Sequence, residues 1–215
     1  METKLSNQRI FEILYRDKIF FKYYLDNYFN RLSITNKDFI KEIFLEFNTK
    51  KEIYPADLLN LANTINGQDN KSGYRNVGIT SSYEIVKPNQ INTKLYRVLD
   101  SYRTLWKILD NLEKESFLHI HLMRIYPFIN NNELICHLVL ISNLINSYYP
   151  PVILDESYKE EYYRVIDAGD ALKFKIYLEN KIEEEIQVMI DLYKKYYLFP
   201  ENISIEEIIL KKSNY

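Results

Sequence analysis

Residues that form tight turns are scarce in this chain, and their scarcity restricts the fold more than any other feature of the sequence. Only four glycines and six prolines occur among 215 residues. A protein rich in β-sheet needs such residues at many turns, because they adopt the backbone angles that turns require. Residues 8–29 contain neither, and their apolar side chains recur at helical spacing from Ile10 to Tyr28. We therefore expect an all-α fold.

Further helices are predicted along most of the chain, and proline or a capping residue marks many of their ends. Ser33 or Thr35 can cap a second helix, and Pro55 suits the first turn of a third. Pro127 ends a helix at Ile125, because the residue before a proline disfavours α geometry. Three of the other predicted helices cover 91–112, 114–125 and 171–195. Another begins at Asn132, which can cap it, and ends before Pro150-Pro151. Two more begin at the capping boxes Ser157-x-x-Glu160 and Ser204-x-x-Glu207, and the first of these two ends at about residue 168.

One segment shows the pattern of β-structure. Residues 74–80 and 83–88 are two short β-prone runs that flank the polar pair Ser81-Ser82. Small polar residues between two such runs are typical of a turn that joins antiparallel strands. We expect a β-hairpin over about 73–88, ended by Pro88, as the one strand feature of an otherwise helical bundle.

Charge and cysteine content argue against several classes of function. The 28 basic and 30 acidic residues give a net charge of −2 with no basic stripe, so nucleic acid is not expected as a partner. Cys136 is the only cysteine, which rules out an internal disulfide and suits a reducing compartment. No apolar run is long enough to span a membrane, and the first residues lack a signal-peptide pattern. We expect a cytoplasmic protein that binds neither membranes nor a metal through a Cys/His motif.

Residues 124–137 carry the most specific motif in the sequence. They read Arg-Ile-Tyr-Pro-Phe-Ile-Asn-Asn-Asn-Glu-Leu-Ile-Cys-His. This segment resembles the active-site signature of the Fic (Fido) family, His-Pro-Phe-x-Asp/Glu-Gly-Asn-Gly-Arg, which lies between two helices. Pro127, Phe128 and Asn132 keep its frame. Tyr126, however, stands at the position of the catalytic histidine, and Leu134 stands at that of the arginine.

Landmarks on both sides of this loop resemble the same family in the same order. The expected hairpin matches the family's flap, which docks the chain of a target protein, and Gly73-Tyr74-Arg75 resembles the glycine-aromatic-arginine lead-in common there. His119 stands where a helix histidine often precedes the catalytic one. Downstream, Tyr149-Pro150-Pro151 and residues 161–170 resemble, in shortened form, two further segments of the family.

The resemblance implies a Fic-like helical bundle with one β-hairpin flap. It divides the chain into an N-terminal helical extension over 1–66, a Fic-like core over 67–195 with the flap at about 73–88, and a C-terminal tail helix over 196–215. In the extension, Asn30-Arg31-Leu32-Ser33 faintly resembles the family's autoinhibitory helix, which puts Tyr28 at the position of the inhibitory glutamate. The flap residues expected to dock a partner are Val77, Ile79, Tyr83 and Ile85.

The substitutions in the loop remove the groups that a Fic transferase uses. In the family the loop histidine deprotonates a target hydroxyl, but a tyrosine with its pKa near 10 is only about a thousandth ionised at pH 7. Asn130 replaces the acidic residue that holds Mg²⁺, and an amide oxygen lacks its charge. Glu133 puts a negative charge where phosphates would rest, and Leu134 removes the guanidinium that clamps them. The side chains that could still contact a nucleotide are Asn130, Asn131, Asn132 and His137.

The three histidines have two interpretations each. His119 and His121 are expected to pack within a helix, and the alternative is that one of them serves as a relocated base. His137 stands where a second arginine often lies in the family, and it either packs against its neighbours or offers one donor to an anion.

We expect a pseudoenzyme that acts as a protein-binding or regulatory module and needs no cofactor. The alternative is a divergent transferase that moves AMP, another nucleotide moiety or phosphate to a protein hydroxyl, in which case ATP and Mg²⁺ are required. A third hypothesis is a partner that neutralises or oligomerises with an active Fic protein, and a homo-oligomer also stays open.

Overall fold

The computed structural model describes residues 5–67, 73–154 and 159–213, and within them the chain forms ten α-helices and no β-strand. The helices are α1 (Asn7–Arg16), α2 (Lys18–Arg31), α3 (Lys37–Phe47), α4 (Pro55–Asn66), α5 (Ile91–Arg103), α6 (Asn111–Ile125), α7 (Asn132–Asn146), α8 (Lys159–Ala168), α9 (Ala171–Tyr196) and α10 (Ile205–Ser213). Short 3₁₀ helices cover Pro88–Gln90 and Leu105–Ile108. The predicted all-α fold is confirmed.

The first predicted helix is in fact two. Asp17 lies between α1 and α2 with φ −78° and ψ 88°, outside the helical region. Its carboxylate accepts a hydrogen bond of 3.1 Å from the backbone N–H of Phe20, so the side chain caps α2. Aspartate competes in this way for backbone donors and can start a helix where the apolar pattern continues without interruption. The prediction of one helix over 8–29 was therefore wrong at Asp17.

Other helix ends agree with the sequence more closely. Pro55 lies in the first turn of α4, α6 ends at Ile125, and Ser204 accepts from the backbone of Glu207 at 3.1 Å to cap α10. The helix predicted to begin after Ser33 or Thr35 is α3, and its N-cap position is Asn36, whose side chain makes no capping hydrogen bond. The helix predicted over 91–112 stops at Arg103. The predicted capping box at Ser157 falls outside the described residues.

The central pair of the bundle is α6 and α7, which pack against each other and are surrounded by the other helices. Helix α7 is apolar on all sides, and eleven of its fifteen residues are buried, as expected of a helix enclosed by neighbours. Helix α6 packs also against α5, α8 and α9. The loop of interest joins α6 to α7, so both of its ends are held by the core.

Helices α1 to α4, in the predicted extension, share the hydrophobic core of the rest of the chain. Helices α1 and α2 pack on α9, and α3 and α4 pack on α7. The contact between α2 and α9 includes a partly buried ion pair, in which the guanidinium of Arg31 bonds both carboxylate oxygens of the buried Glu185. Tyr24 donates to the same carboxylate at 2.7 Å.

The hairpin expected over 73–88 is not formed. Residues 73–87 contain no strand. One arm bonds to the loop after α6, where the N–H of Arg75 donates to Pro127 O at 2.8 Å, and the other bonds to the last turn of α6, where the N–H of Val86 donates to Arg124 O at 2.9 Å. The Arg75 guanidinium donates to Val77 O on one arm and to Val86 O on the other. The carbonyl groups of Val77 and Val86, which could take part in the backbone hydrogen bonds of a hairpin, are thus bonded to the Arg75 side chain. This stretch is called the docking segment (residues 73–87) below, after the docking role that the sequence led us to expect of it.

No helix in the described ranges combines the length and the apolar character needed to cross a bilayer.

Candidate functional site

The loop between α6 and α7 keeps a fixed frame through two left-handed residues and one buried amide. Tyr126 has φ 49° and ψ 63°, and its N–H donates to Leu122 O at 3.0 Å to end α6. Asn131 has φ 55° and ψ 25° at the start of α7, a geometry that asparagine tolerates better than most residues. Asn132 is 1% exposed, and its amide accepts from Phe128 N at 2.8 Å and donates to Phe128 O at 2.6 Å. The Asn132 side chain therefore closes the loop from within.

Arg75 fastens the loop to the docking segment. The residue is 2% exposed, and its Nε donates to Tyr126 O at 2.7 Å. Its partners are all carbonyl oxygens, and two of them, those of Ile125 and Tyr126, lie at the end of α6, where the helix dipole favours a cation. Burial lowers the pKa of Arg75 from its ordinary value. The guanidinium thus joins the two arms of the segment by hydrogen bonds to Val77 O and Val86 O, in place of the backbone hydrogen bonds of a hairpin.

Tyr126 is poorly suited to act as a base. Its side chain is half-buried, and its ring lies 6.4 Å from that of Tyr83 at an interplanar angle of 64°. Burial raises the pKa of Tyr126, and the nearby Glu133 and Cys136 raise it further. A phenol with a raised pKa is ionised even less at pH 7 than the free side chain, so the structure makes proton abstraction harder than the sequence implied.

Asn130 and Asn131 contact the end of α4. Asn66, the last residue of α4, donates from its side-chain amide to Asn130 O at 3.1 Å, and its side-chain oxygen Oδ1 accepts from the Asn131 amide at 2.8 Å. Both loop residues are exposed. The Asn131 side chain is thus engaged within the chain by Asn66.

Glu133 lies in the first turn of α7, where backbone N–H groups have no partner within the helix. Both oxygens of its carboxylate accept from the hydroxyl of Tyr163 on α8, at 2.8 and 2.9 Å. A carboxylate at this end of a helix satisfies the positive pole that would otherwise attract a phosphate. Leu134, which follows, is half-buried against the core.

His137 is engaged by the segment after Pro150-Pro151. Its Nε2 lies 2.7 Å from Val152 O, and because a carbonyl only accepts, Nε2 carries the proton. Tyr28 donates to the same oxygen at 2.8 Å, and its hydroxyl lies 3.3 Å from Nε2. Burial lowers the pKa of His137. Its single N–H is thus used at neutral pH, which leaves no donor for an anion.

Tyr28 and His137 lie in contact with each other. The resemblance had placed Tyr28 at the position of the inhibitory glutamate and His137 at that of a second arginine, and the structure brings these two side chains together.

His119 is enclosed in the core. It is 2% exposed, stacks on Phe174 at 4.8 Å and bonds the hydroxyl of Tyr162 at 2.8 Å. Burial lowers its pKa to about 3. A side chain enclosed in this way cannot reach a substrate as a relocated base.

A cavity of about 220 Å³ opens beside Glu133 and His137. Its other lining residues come from α2, α7, α8 and the segments next to them: Arg31, Ser33, Ile34, Leu134, Ile153, Leu154, Tyr162 and Tyr163. Arg31 is the one lysine or arginine among the described residues that line it, and Glu185 engages that guanidinium. Among the described residues no group of three or more His, Cys, Asp or Glu side chains is arranged to hold a metal ion.

The four residues expected to dock a partner differ in exposure. Val77 is 51% exposed, and Ile79 and Ile85 are partly buried. Tyr83 is only 6% exposed and faces the rings of Tyr126 and Tyr163, the latter at 5.7 Å. Its hydroxyl is buried with no hydrogen-bond partner in the described part of the chain.

Sequence reasoning missed three residues that shape this site. Asn66 and Tyr163 contact the loop through bonds to residues more than 25 positions away, and no local pattern predicts such pairs. Arg75 had a signal, the glycine-aromatic-arginine lead-in, but its contacts with four carbonyls were not foreseen.

No protein-family model and no curated protein matches the sequence. Solved structures do. A signalling protein with a Fic domain from Bacteroides thetaiotaomicron superposes with a TM-score of 0.61 at 22% identity, over 74% of this chain and 71% of that one. Fic-1 of C. elegans (residues 134–508) gives 0.57 at 24% identity, over 75% of this chain and 54% of the other. A Fic family protein from Desulfovibrio desulfuricans gives 0.61 at 16% identity, over 76% and 56%.

At this level of identity the comparison concerns the fold alone, and it agrees with the order of landmarks read from the sequence. The fold of this chain is that of the Fic domain proteins.

Proposed function

We propose that this chain is a Fic-like pseudoenzyme, a module that binds a protein partner and does not transfer nucleotides. The observation that carries the proposal is the position of Glu133, whose carboxylate lies in the first turn of α7 and accepts from Tyr163. An anion approaching this helix end would meet the negative charge of Glu133 beside the N–H groups that could otherwise bind it. No arginine follows, because Leu134 stands at that position and packs against the core.

The loss of a base supports the same conclusion. A positioned general base contributes about 10²–10⁴ in rate. Tyr126 with its raised pKa is almost entirely protonated at neutral pH, and burial lowers the pKa of His137, which makes its imidazole a weaker base. ATP and Mg²⁺ are therefore not required by this function.

Partner binding is assigned to the docking segment. Within the described residues, the stretch from Asn76 to Ser82 makes no backbone-to-backbone hydrogen bond. An extended chain can satisfy such peptide groups by pairing along the segment, and this mode of binding needs no catalytic residue. Val77 offers an exposed apolar side chain on the same stretch.

Two experiments test the proposal. Labelled ATP and other labelled nucleotides are incubated with the protein and a cell lysate, and we expect no transfer to any protein. In parallel, partners are captured by the wild type and by Val77→Asp, with Ile108→Asp as a matched control because Ile108 is 90% exposed elsewhere on the surface. A partner lost only with Val77→Asp supports docking at the segment, and partners retained by both variants contradict it.

The divergent transferase is the second candidate, and the retained left-handed frame at Tyr126 and Asn131 favours it. Label transfer that disappears in Tyr126→Phe or His137→Ala would replace the pseudoenzyme by this function. Capture of an active Fic protein, or of a second copy of this chain, would instead identify the partner as a family member.

A further inference from the structure

A second cavity, of about 520 Å³, lies between α5, α6 and the end of the docking segment, and its charge is one-sided. Four cationic side chains line it, Lys87, Lys94, Arg97 and Arg124, against one acidic side chain, Glu84. The chain as a whole has a net charge of −2, so this local excess does not follow from composition.

The cations are placed where the fold itself does not favour them. Lys94 lies in the first turn of α5, where the helix dipole opposes a positive charge. Arg97 follows three positions later on the same helix, and like charges at that spacing repel. Among the described residues neither of them, nor Lys87, has an acidic partner within ion-pair distance. The exception is Arg124, which lies 3.8 Å from Glu84, a side chain that is 86% exposed.

We infer that this cavity binds an acidic segment of a partner protein, one that carries several carboxylates. That segment lies beside the part of the same partner that is docked on residues 73–87. The inference rests on the proposed docking function and adds the chemistry of the partner. Lys87 belongs to the docking segment and also lines the cavity, so a chain bound on the segment passes directly beside it. The cations stand on three separate elements around a space far larger than one anion, as an acidic peptide with several charges requires.

His121 provides a reporter inside the cavity. Its ring stacks on Trp106 at 5.5 Å and lines the same space. Burial lowers its pKa, and Arg124 and Lys94 lower it further. A bound carboxylate would offset those two charges and raise the pKa of His121. The chain has only three histidines, so their ring resonances can be followed individually by NMR.

The test uses the full chain and a synthetic hexaglutamate peptide as the probe, with hexaglutamine as the uncharged control. We expect hexaglutamate to shift the His121 ring resonances and raise its pKa, and the response to weaken as salt is added. Lys94→Glu with Arg97→Glu should weaken binding by about tenfold or more, since two attractive charges become repulsive. Lys22→Glu with Lys51→Glu changes net charge equally at exposed sites outside the cavity, and it should retain the response.

Three outcomes would overturn the inference: no change at His121, an equal loss in both double variants, or an equal response to inorganic phosphate at the same concentration, which would identify a site for a single anion. Each leaves the proposed absence of nucleotide transfer untouched, because that is measured at the loop after α6 with a different ligand.

Discussion

Glu133 carries the proposed function at the scale of a single residue. It follows the left-handed Asn131 and the buried amide of Asn132 at the start of α7. Its carboxylate puts a negative charge at the positive end of the helix dipole, and the Tyr163 hydroxyl bonds it there. The type of this residue was evident in the sequence, but its bond to Tyr163 depends on how α8 packs against α7.

Removal of the Tyr83 hydroxyl is expected not to destabilise the protein, because this buried group has no hydrogen-bond partner in the described part of the chain. A buried polar group without a partner costs about 1–3 kcal/mol, so Tyr83→Phe should leave the free energy of unfolding unchanged or raise it by about 1 kcal/mol. Tyr102→Phe is the matched comparison, because Tyr102 donates to the buried carboxylate of Glu115 at 2.7 Å. Its loss should lower stability by about 1.5–3 kcal/mol, as for bonds to charged groups.

Chemical denaturation of both variants and the wild type measures these changes. A Tyr83→Phe variant as destabilised as Tyr102→Phe would mean that the Tyr83 hydroxyl has a partner, such as an ordered water, and the description of this side of the loop would be wrong.

At the scale of elements, most helices were predictable and the segment between α4 and α5 was not. Pro55 suits a first helical turn through its fixed φ, and Ser204 caps a helix through a local bond, so the pattern around them predicted the starts of α4 and α10 correctly. The docking segment has β-prone residues, yet its conformation is set by Arg75 and by backbone bonds to Pro127 and Arg124. Contacts between parts of the chain 38 to 52 residues apart leave no local signal.

The interface of α5, α6 and α7 contains a group that titrates near neutrality. Glu115 is 2% exposed and accepts from Tyr102 and, at 2.6 Å, from Asn143. Burial raises its pKa from 4.5 to about 7. The folded state therefore binds a proton that the unfolded state has released between these two values. The stability from this group is complete below pH 4.5 and falls as pH rises through about 7.

Glu115→Gln should remove that dependence, because an amide does not titrate. Unfolding of both proteins is measured from pH 4 to 8, and the difference between them isolates Glu115, since all other groups titrate in both. We expect the wild type to lose about 3 kcal/mol relative to the variant across this range. Glu179→Gln, at an exposed position of α9, should run parallel to the wild type. A constant difference between wild type and Glu115→Gln would contradict the raised pKa.

The molecule as a whole has one core, and the N-terminal helices belong to it. Sequence alone indicated an extension over 1–66, but α1 to α4 pack against α7 and α9 rather than beside them as a separate unit. The partly buried pair of Arg31 and Glu185 links the two parts, and its two residues lie 154 positions apart. The match to Fic domain structures extends over about three quarters of the chain.

Arg31→Met should destabilise the entire chain, because it leaves the carboxylate of Glu185 buried without its counter-charge. Removing one partner of a fully buried pair costs about 3–5 kcal/mol. Because the Arg31 side chain is 30% exposed, we expect a smaller loss here, of about 2–3 kcal/mol. The double variant Arg31→Met with Glu185→Gln should recover most of that loss, and both should unfold in a single transition by calorimetry. Two separate transitions, or no recovery in the double variant, would show that the N-terminal helices are not coupled to α9 through this pair.

Nucleotide binding at the loop after α6 tests the central claim most directly. The wild type, Glu133→Gln, and Glu133→Gly with Leu134→Arg are titrated with ATP and ADP by calorimetry, with and without Mg²⁺. We predict that the wild type binds more weakly than about 1 mM, that removal of the charge alone has a small effect, and that the double variant gains at least about tenfold in affinity. Mg²⁺-dependent binding of ATP to the wild type at micromolar concentration would contradict the account, because Glu133 would then not exclude phosphate from the helix end.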